Sequence, residues 1–221
     1  MTSRKRRMLT TLVAGMLLTV TLTSNIVLFI LVFRDVNARV RRDIGQRTRY
    51  ALEAILPALD VEGFMRLVRG RNPQDPAYVR LQSHLAEVRG KLGFKYLYTA
   101  APDDSGKLIY VVDGLPAGTE GFSRLGDPAP DEVDAWEAVR KSGGSVSFED
   151  SSPQWGELMS VYVPIRDGGG NIVGILGADH EMSTVLAAVS GRARFFAGMI
   201  LLVTLAGIGA GLLAIFLVGR A

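Results

Sequence analysis

The residues able to do chemistry fall in a few short runs. Asp113 closes the run LIYVVD, and Asp179 closes NIVGILGAD. Tyr96, Tyr98, Tyr110, Trp155 and Tyr162 lie in or beside the same runs. Ligand pockets combine mostly apolar, often aromatic walls with a few placed polar groups. Two carboxylates facing one such cavity would favour a cationic or zwitterionic small molecule, one bearing an amine. Each residue also has a plainer reading. Asp179 or Ser183 could cap a helix that follows, and the aromatic residues could be ordinary core.

Catalytic and metal chemistry find little support. His84 and His180 are the only histidines. Asp179-His180-Glu181 has no second histidine at helical spacing, so it reads as a solvated helix start and not a metal site. There is no G-x-S-x-G elbow, no P-loop and no D-x-D-x-D-G calcium loop. Asp167-Gly168-Gly169-Gly170 has too few carboxylates for calcium and suits a tight turn. The pattern predicts a protein that is not an enzyme and carries no metal or cofactor.

The elements that must position these residues are legible around WGELMSVYVPIRDGGGNIVGILGAD, Trp155 to Asp179. Leu158 to Ile165 is rich in β-branched and aromatic residues, and Asn171 to Asp179 is apolar on both faces. With the glycine turn between them, they predict a hairpin whose second strand sits in mid-sheet. Alternation from Phe94 through Tyr98 predicts another strand. Pro102 to Gly106 is a turn by composition, and Lys107 to Asp113 completes a second hairpin. Gly144 to Phe148 makes a fifth strand. Gly114 to Pro130 is a long glycine- and proline-punctuated loop, a length often used for pocket walls. Asp131 to Lys141 predicts a short helix. Earlier, Asp60 can cap a helix through Val68, and Asp75-Pro76 opens one running to about Arg89.

Two uncharged apolar runs bracket this region. Met8 to Phe33 spans 26 residues and Phe195 to Val218 spans 24, each more than the ~20 needed to cross a bilayer core. The first is too long for a signal-peptide core, and no cleavage site follows it. Arg4 to Arg7 predict a cytoplasmic position for residues 1–7; Arg34, Arg39, Arg41 and Arg42 argue the other way, but long loops translocate largely regardless of charge, so the 161 residues from Arg34 to Arg194 are expected outside it. Residues 219–221 return to the cytoplasm. The first helix should continue past Phe33 to Leu56, where Pro57 ends it. The pI of about 9.3 does not signal nucleic-acid binding, because Lys91 to Glu181 holds 7 basic and 15 acidic residues. The absence of cysteine excludes disulfides.

FKYLYTA at Phe94, GKLIYVVDG at Gly106, Gly126-Asp127 and the Trp155 to Asp179 hairpin together resemble the single Cache family of bacterial extracytoplasmic sensor domains, a PAS-like fold. The resemblance covers roughly Arg34 to Met182. It implies an α+β domain with a five-stranded antiparallel sheet, a long N-terminal helix along one side and a small-molecule pocket on the other. It also implies a receptor of the bacterial inner membrane that passes a ligand-induced change through two membrane helices. In the family an acid ending the last strand often meets a ligand amine, and Asp179 matches that position. The family's fuller amino-acid motif, with an arginine and tryptophan ahead of the pocket tyrosine, is absent. No kinase, cyclase or methyl-accepting segment occurs in residues 1–221, so the output would lie with a cytoplasmic or membrane signalling partner or in a longer chain. The continuous first helix and the small-residue face at Gly207 and Gly211 suggest a homodimer. The competing expectation is a regulatory membrane subunit that uses the same fold to bind a protein.

Overall fold

The computed structural model describes residues 3–152 and 155–220. Met1, Thr2, Pro153, Gln154 and Ala221, and so the ends of the two terminal segments, lie outside the described residues. In order, the elements are α1 (Ser3–Ile55), α2 (Val61–Gly70), α3 (Pro76–Leu92), β1 (Tyr96–Pro102), β2 (Leu108–Asp113), α4 (Val133–Ser142), β3 (Val146–Ser152), β4 (Gly156–Arg166), β5 (Ile172–Glu181) and α5 (Met182–Arg220). Two compact units emerge, residues 1–40 with 187–221, and residues 41–186.

In the larger unit the five strands form one antiparallel sheet in the order β2-β1-β5-β4-β3. The doubly apolar β5 lies at its centre, as its composition requires. The expected α+β class and antiparallel sheet are therefore what the chain adopts. Helix boundaries follow local chemistry. Asp60 accepts the Gly63 amide at 2.8 Å to start α2, and Asp75 accepts the Ala77 amide at 2.8 Å with Pro76 in the first turn of α3. A 3-10 turn at Leu56–Ala58, carrying Pro57, terminates α1. Between β4 and β5 the Asp167 carboxylate accepts the Gly169 and Asn171 amides, and Gly170 supplies the positive φ of 82°.

The sheet is covered on both faces. One face carries the main core, where Leu52 and Ile55 of α1, Phe64 and Leu67 of α2 and Leu81 and Leu85 of α3 meet Leu97, Val163 and Leu176. Phe64 fits because Gly174 leaves it space: a Cβ there would stand 2.8 Å from the ring. The other face carries Tyr98, Tyr110, Tyr162 and Ile175 beneath Ala135 and Val139 of α4. The long N-terminal helix and the tyrosines thus occupy opposite faces, as the resemblance implies.

In the smaller unit, α1 and α5 each contain a stretch long and apolar enough to cross a membrane. Asn25 Nδ2 donates to Thr204 Oγ1 at 2.7 Å. The one amide within the first apolar run therefore pairs with a hydroxyl of the second.

Candidate functional site

Cross-strand register brings the acids and tyrosines together. Asp179 of β5 stands between Tyr96 of β1 and Ser160 of β4, and the next residue on the same face, Gly177, stands between Tyr98 and Tyr162. A Cβ at Gly177 would lie 3.0 Å from atoms of both rings, so the glycine lets the two tyrosines close over mid-sheet without shifting.

On β2 a bulge does the equivalent work. Asp113 pairs with Tyr98 and Val112 with Thr99, but Ala100 pairs with Tyr110, which leaves Val111 as the extra residue. Strict alternation would send Asp113 and Tyr110 to opposite faces. The bulge puts both on the face of Asp179.

The result is one cavity of about 40 Å³, lined by all seven residues singled out from sequence: Tyr96, Tyr98, Tyr110, Asp113, Trp155, Tyr162 and Asp179. Glu132, Asp131, Ser160 and Ser123 line it as well. Sequence reading missed Glu132, which belongs to the 3-10 turn Pro130–Glu132 ahead of α4. In PDEVD it looks like one more surface acid at a helix start. Yet Glu132 is 5% exposed, and its Oε1 accepts from Tyr98 Oη at 2.9 Å and Tyr110 Oη at 3.1 Å.

The acids differ in what they do. Asp113 is occupied by the loop: Oδ1 accepts the Leu115 amide and Oδ2 the Ser123 amide, both at 2.8 Å. It ties the start of the glycine-rich segment to its middle, while burial still raises its pKa. Asp179 lies inside β5, which runs on to Glu181 before α5 begins at Met182. The capping alternative therefore fails for it. Asp179 Oδ1 and Glu132 Oε2 are both buried without a hydrogen-bond partner. Burial, reinforced by the Glu132 charge, pushes the Asp179 carboxyl up to about 8. Burial also raises Glu132, and the hydroxyls of Tyr162, Tyr98 and Tyr110 offset part of that rise. The tyrosines themselves are pushed upward by burial and by these acids, so they remain donors.

Aromatic edges complete the walls. Tyr98 meets Tyr110 edge-on at 5.5 Å and Tyr96 meets Trp155 at 5.6 Å. Trp155 is anchored by Nε1 donating to Asp131 Oδ2 at 2.8 Å. No lysine, arginine or histidine lines the cavity among the described residues. No group of three or more potential metal ligands occurs among them either.

Fold and site together define an α+β single-sheet domain with an acidic, aromatic cavity on the sheet face opposite its N-terminal helix. No family model matches the chain, and no curated protein matches it significantly. Among solved structures, it is similar to the Escherichia coli DcuS sensor domain (16% identity, 69% of this chain and 98% of that one, TM-score 0.47). It is also similar to the ligand-binding domain of the Campylobacter jejuni chemoreceptor Tlp3 in complex with L-norvaline (14% identity, 73% and 63%, TM-score 0.49). A third likeness is to the Vibrio cholerae histidine kinase DctB sensor domain (13% identity, 69% and 55%, TM-score 0.48). The chain thus spans less than two thirds of the Tlp3 and DctB structures.

Proposed function

We propose that residues 34–194 are an extracytoplasmic sensor domain of the single Cache type, held in a bacterial inner membrane by spans at 8–33 and 195–218. Its cavity would bind a small molecule carrying a positive group, an amine or a zwitterion. The observation that carries this reading is the pair of buried, unpartnered carboxylate oxygens, on Glu132 and Asp179, in a cavity lined by no cation among the described residues. Burying such oxygens unpaired is costly, and a cationic ligand removes the cost. Glu132, Asp179 and the five aromatic residues would make the contacts, while Asp113, whose oxygens accept the Leu115 and Ser123 amides, would add negative charge to the wall.

Transmission would use β5. Asp179 faces the cavity, and the adjacent His180 faces the other way, as strand geometry dictates. His180 Nε2 and Thr48 Oγ1 of α1 are hydrogen-bonded at 2.7 Å, and Met159 and Met182 pack with Ile44 and Val185 beside them. A shift of β5 at the cavity is thereby felt by α1, which continues into the first span. A homodimer packed along residues 34–56 would pass that shift to an output module outside residues 1–221.

The test is a metabolite screen on the full chain in detergent, following its melting temperature. A ligand at 100 times its dissociation constant should add about 2.7 kcal/mol. A blank screen, with a cytoplasm-only reporter active when fused after Gly106, would overturn both the sensing role and the topology.

A further inference from the structure

The cavity specifies more than positive charge. Its two vacant acceptors, Glu132 Oε2 and Asp179 Oδ1, come from different elements, and both residues are at least 95% buried, being 5% and 3% exposed. The other Glu132 oxygen is already saturated by two tyrosine hydroxyls. Two separate acceptors call for a group with at least two N–H donors. A quaternary ammonium has none and would leave both oxygens unsatisfied, although the surrounding rings could take its charge by cation–π contact.

A ligand carboxylate fares worse. It would meet Glu132, Asp179, Asp113 and Asp131, and Lys95 stands only at the rim, its Nζ donating to Trp155 O at 3.1 Å and lying over the Tyr96 ring; no lysine, arginine or histidine is among the described lining residues. Like charges within a few ångströms disfavour one another strongly at low dielectric. Size narrows the choice further. A water-sized group needs about 10–15 Å³, so 40 Å³ holds roughly three or four heavy atoms without rearrangement.

Resting on the sensor reading above, we infer that the cavity takes a compact primary ammonium cation without a carboxylate, held by Glu132 and Asp179 together. Glu132 is then the anchor whose geometry the tyrosines Tyr98 and Tyr110 fix, and Asp179 supplies the second acceptor. A free α-amino acid is disfavoured by its own carboxylate. The proton balance follows the same logic. Asp179 holds its proton up to about pH 8 when the cavity is empty. A cation beside it lowers that value, so binding at pH 7 releases protons and affinity rises with pH towards 8.

The experiment is calorimetry on the full chain in nanodiscs of uncharged phosphatidylcholine, with four probes: ethylammonium, tetramethylammonium, L-alanine and propionate. Ethylammonium should bind at least tenfold more tightly than each of the others. In two buffers of different ionisation enthalpy at pH 7, its apparent heat should reveal net proton release. Glu132→Gln should weaken ethylammonium binding at least tenfold, and Tyr98→Phe, which removes one donor holding Glu132, should weaken it less. Equal or tighter binding of L-alanine or tetramethylammonium, lost in Glu132→Gln, would overturn the inference and leave the sensor reading standing. Failure of all four probes also overturns it, and the sensor reading falls with it only if the metabolite screen is blank too. If Glu132→Gln fails to fold, Tyr98→Phe and the ranking of the probes decide the matter alone.

Discussion

Replacing Asp179 by Asn should stabilise the empty protein while abolishing its response to ligand. Asp179 is 3% exposed, and its carboxyl is raised from 3.8 to about 8 by burial and by Glu132. Above pH 3.8 the unfolded chain gives up a proton that the folded state keeps. The contribution of Asp179 to stability is therefore fully present below about pH 4 and is lost as pH rises through about 8. Each unit is worth about 1.36 kcal/mol, so the loss between pH 4 and pH 7 is about 4 kcal/mol. Asn has nearly the same shape and does not ionise, so it escapes that loss. The advantage of the variant should grow from near zero at pH 4 to about 4 kcal/mol at pH 7, roughly 10 °C in melting temperature for a domain of this size. Intrinsic fluorescence of Trp136 and Trp155 in the full chain, followed through thermal melts from pH 4 to pH 9, provides the assay. A difference between the two proteins that stays flat across this range would refute the reasoning, because it would show that Asp179 titrates normally in the fold.

Asp113→Asn should act in the opposite sense, removing one of two acceptors that pin Leu115 and Ser123. It should cost about 1–3 kcal/mol and raise proteolysis of residues 114–130; an unchanged cleavage pattern would contradict this. Gly177→Ala should drive Tyr98 and Tyr162 apart, lowering stability by about 1–3 kcal/mol and closing the cavity to ligand; a melting temperature above that of the parent would contradict it. Thr48→Val should leave the His180 nitrogen unpartnered, costing about 1–3 kcal/mol and uncoupling ligand binding from crosslinking of cysteines placed along residues 34–56. Burial lowers the His180 pKa below 6.5, so its share of stability is present above pH 6.5 and is lost as pH falls through the folded value. A His180→Asn protein whose melting profile below pH 6.5 runs parallel to that of the parent would show that His180 does not contribute in this way.

Most of the fold was legible because local rules and tertiary packing agree. Asp60 and Asp75-Pro76 predicted helix starts, and both caps form. The doubly apolar run ending at Asp179 predicted a mid-sheet strand, and β5 has neighbours on both sides. Boundaries drifted where pairing, not composition, decides them. β3 extends from Val146 to Ser152 because β4 pairs with it as far as Gly156. Nothing in the polar sequence EDSS marks a strand. β5 likewise runs two residues past Asp179 to pair with Leu158 and Met159.

The residues of the candidate cavity were legible, and its geometry was not. Aromatic and acidic residues at strand ends are visible as types, and all seven line the cavity. Counting by twos would have expelled Tyr110, and only the bulge at Val111 restores it. Glu132 was invisible for a deeper reason. Composition places an acid after Pro130-Asp131 on the surface, since ionised carboxylates are rarely buried without a partner. Here the fold buries it, saturates one oxygen with two tyrosines and leaves the other empty. That violation of the ordinary rule is what a binding function requires. A carboxylate fully satisfied within the protein would have nothing to offer a ligand, and one exposed to water would gain little from it. The residue that sequence reasoning was bound to place wrongly is therefore the one on which the proposed recognition of a cation turns.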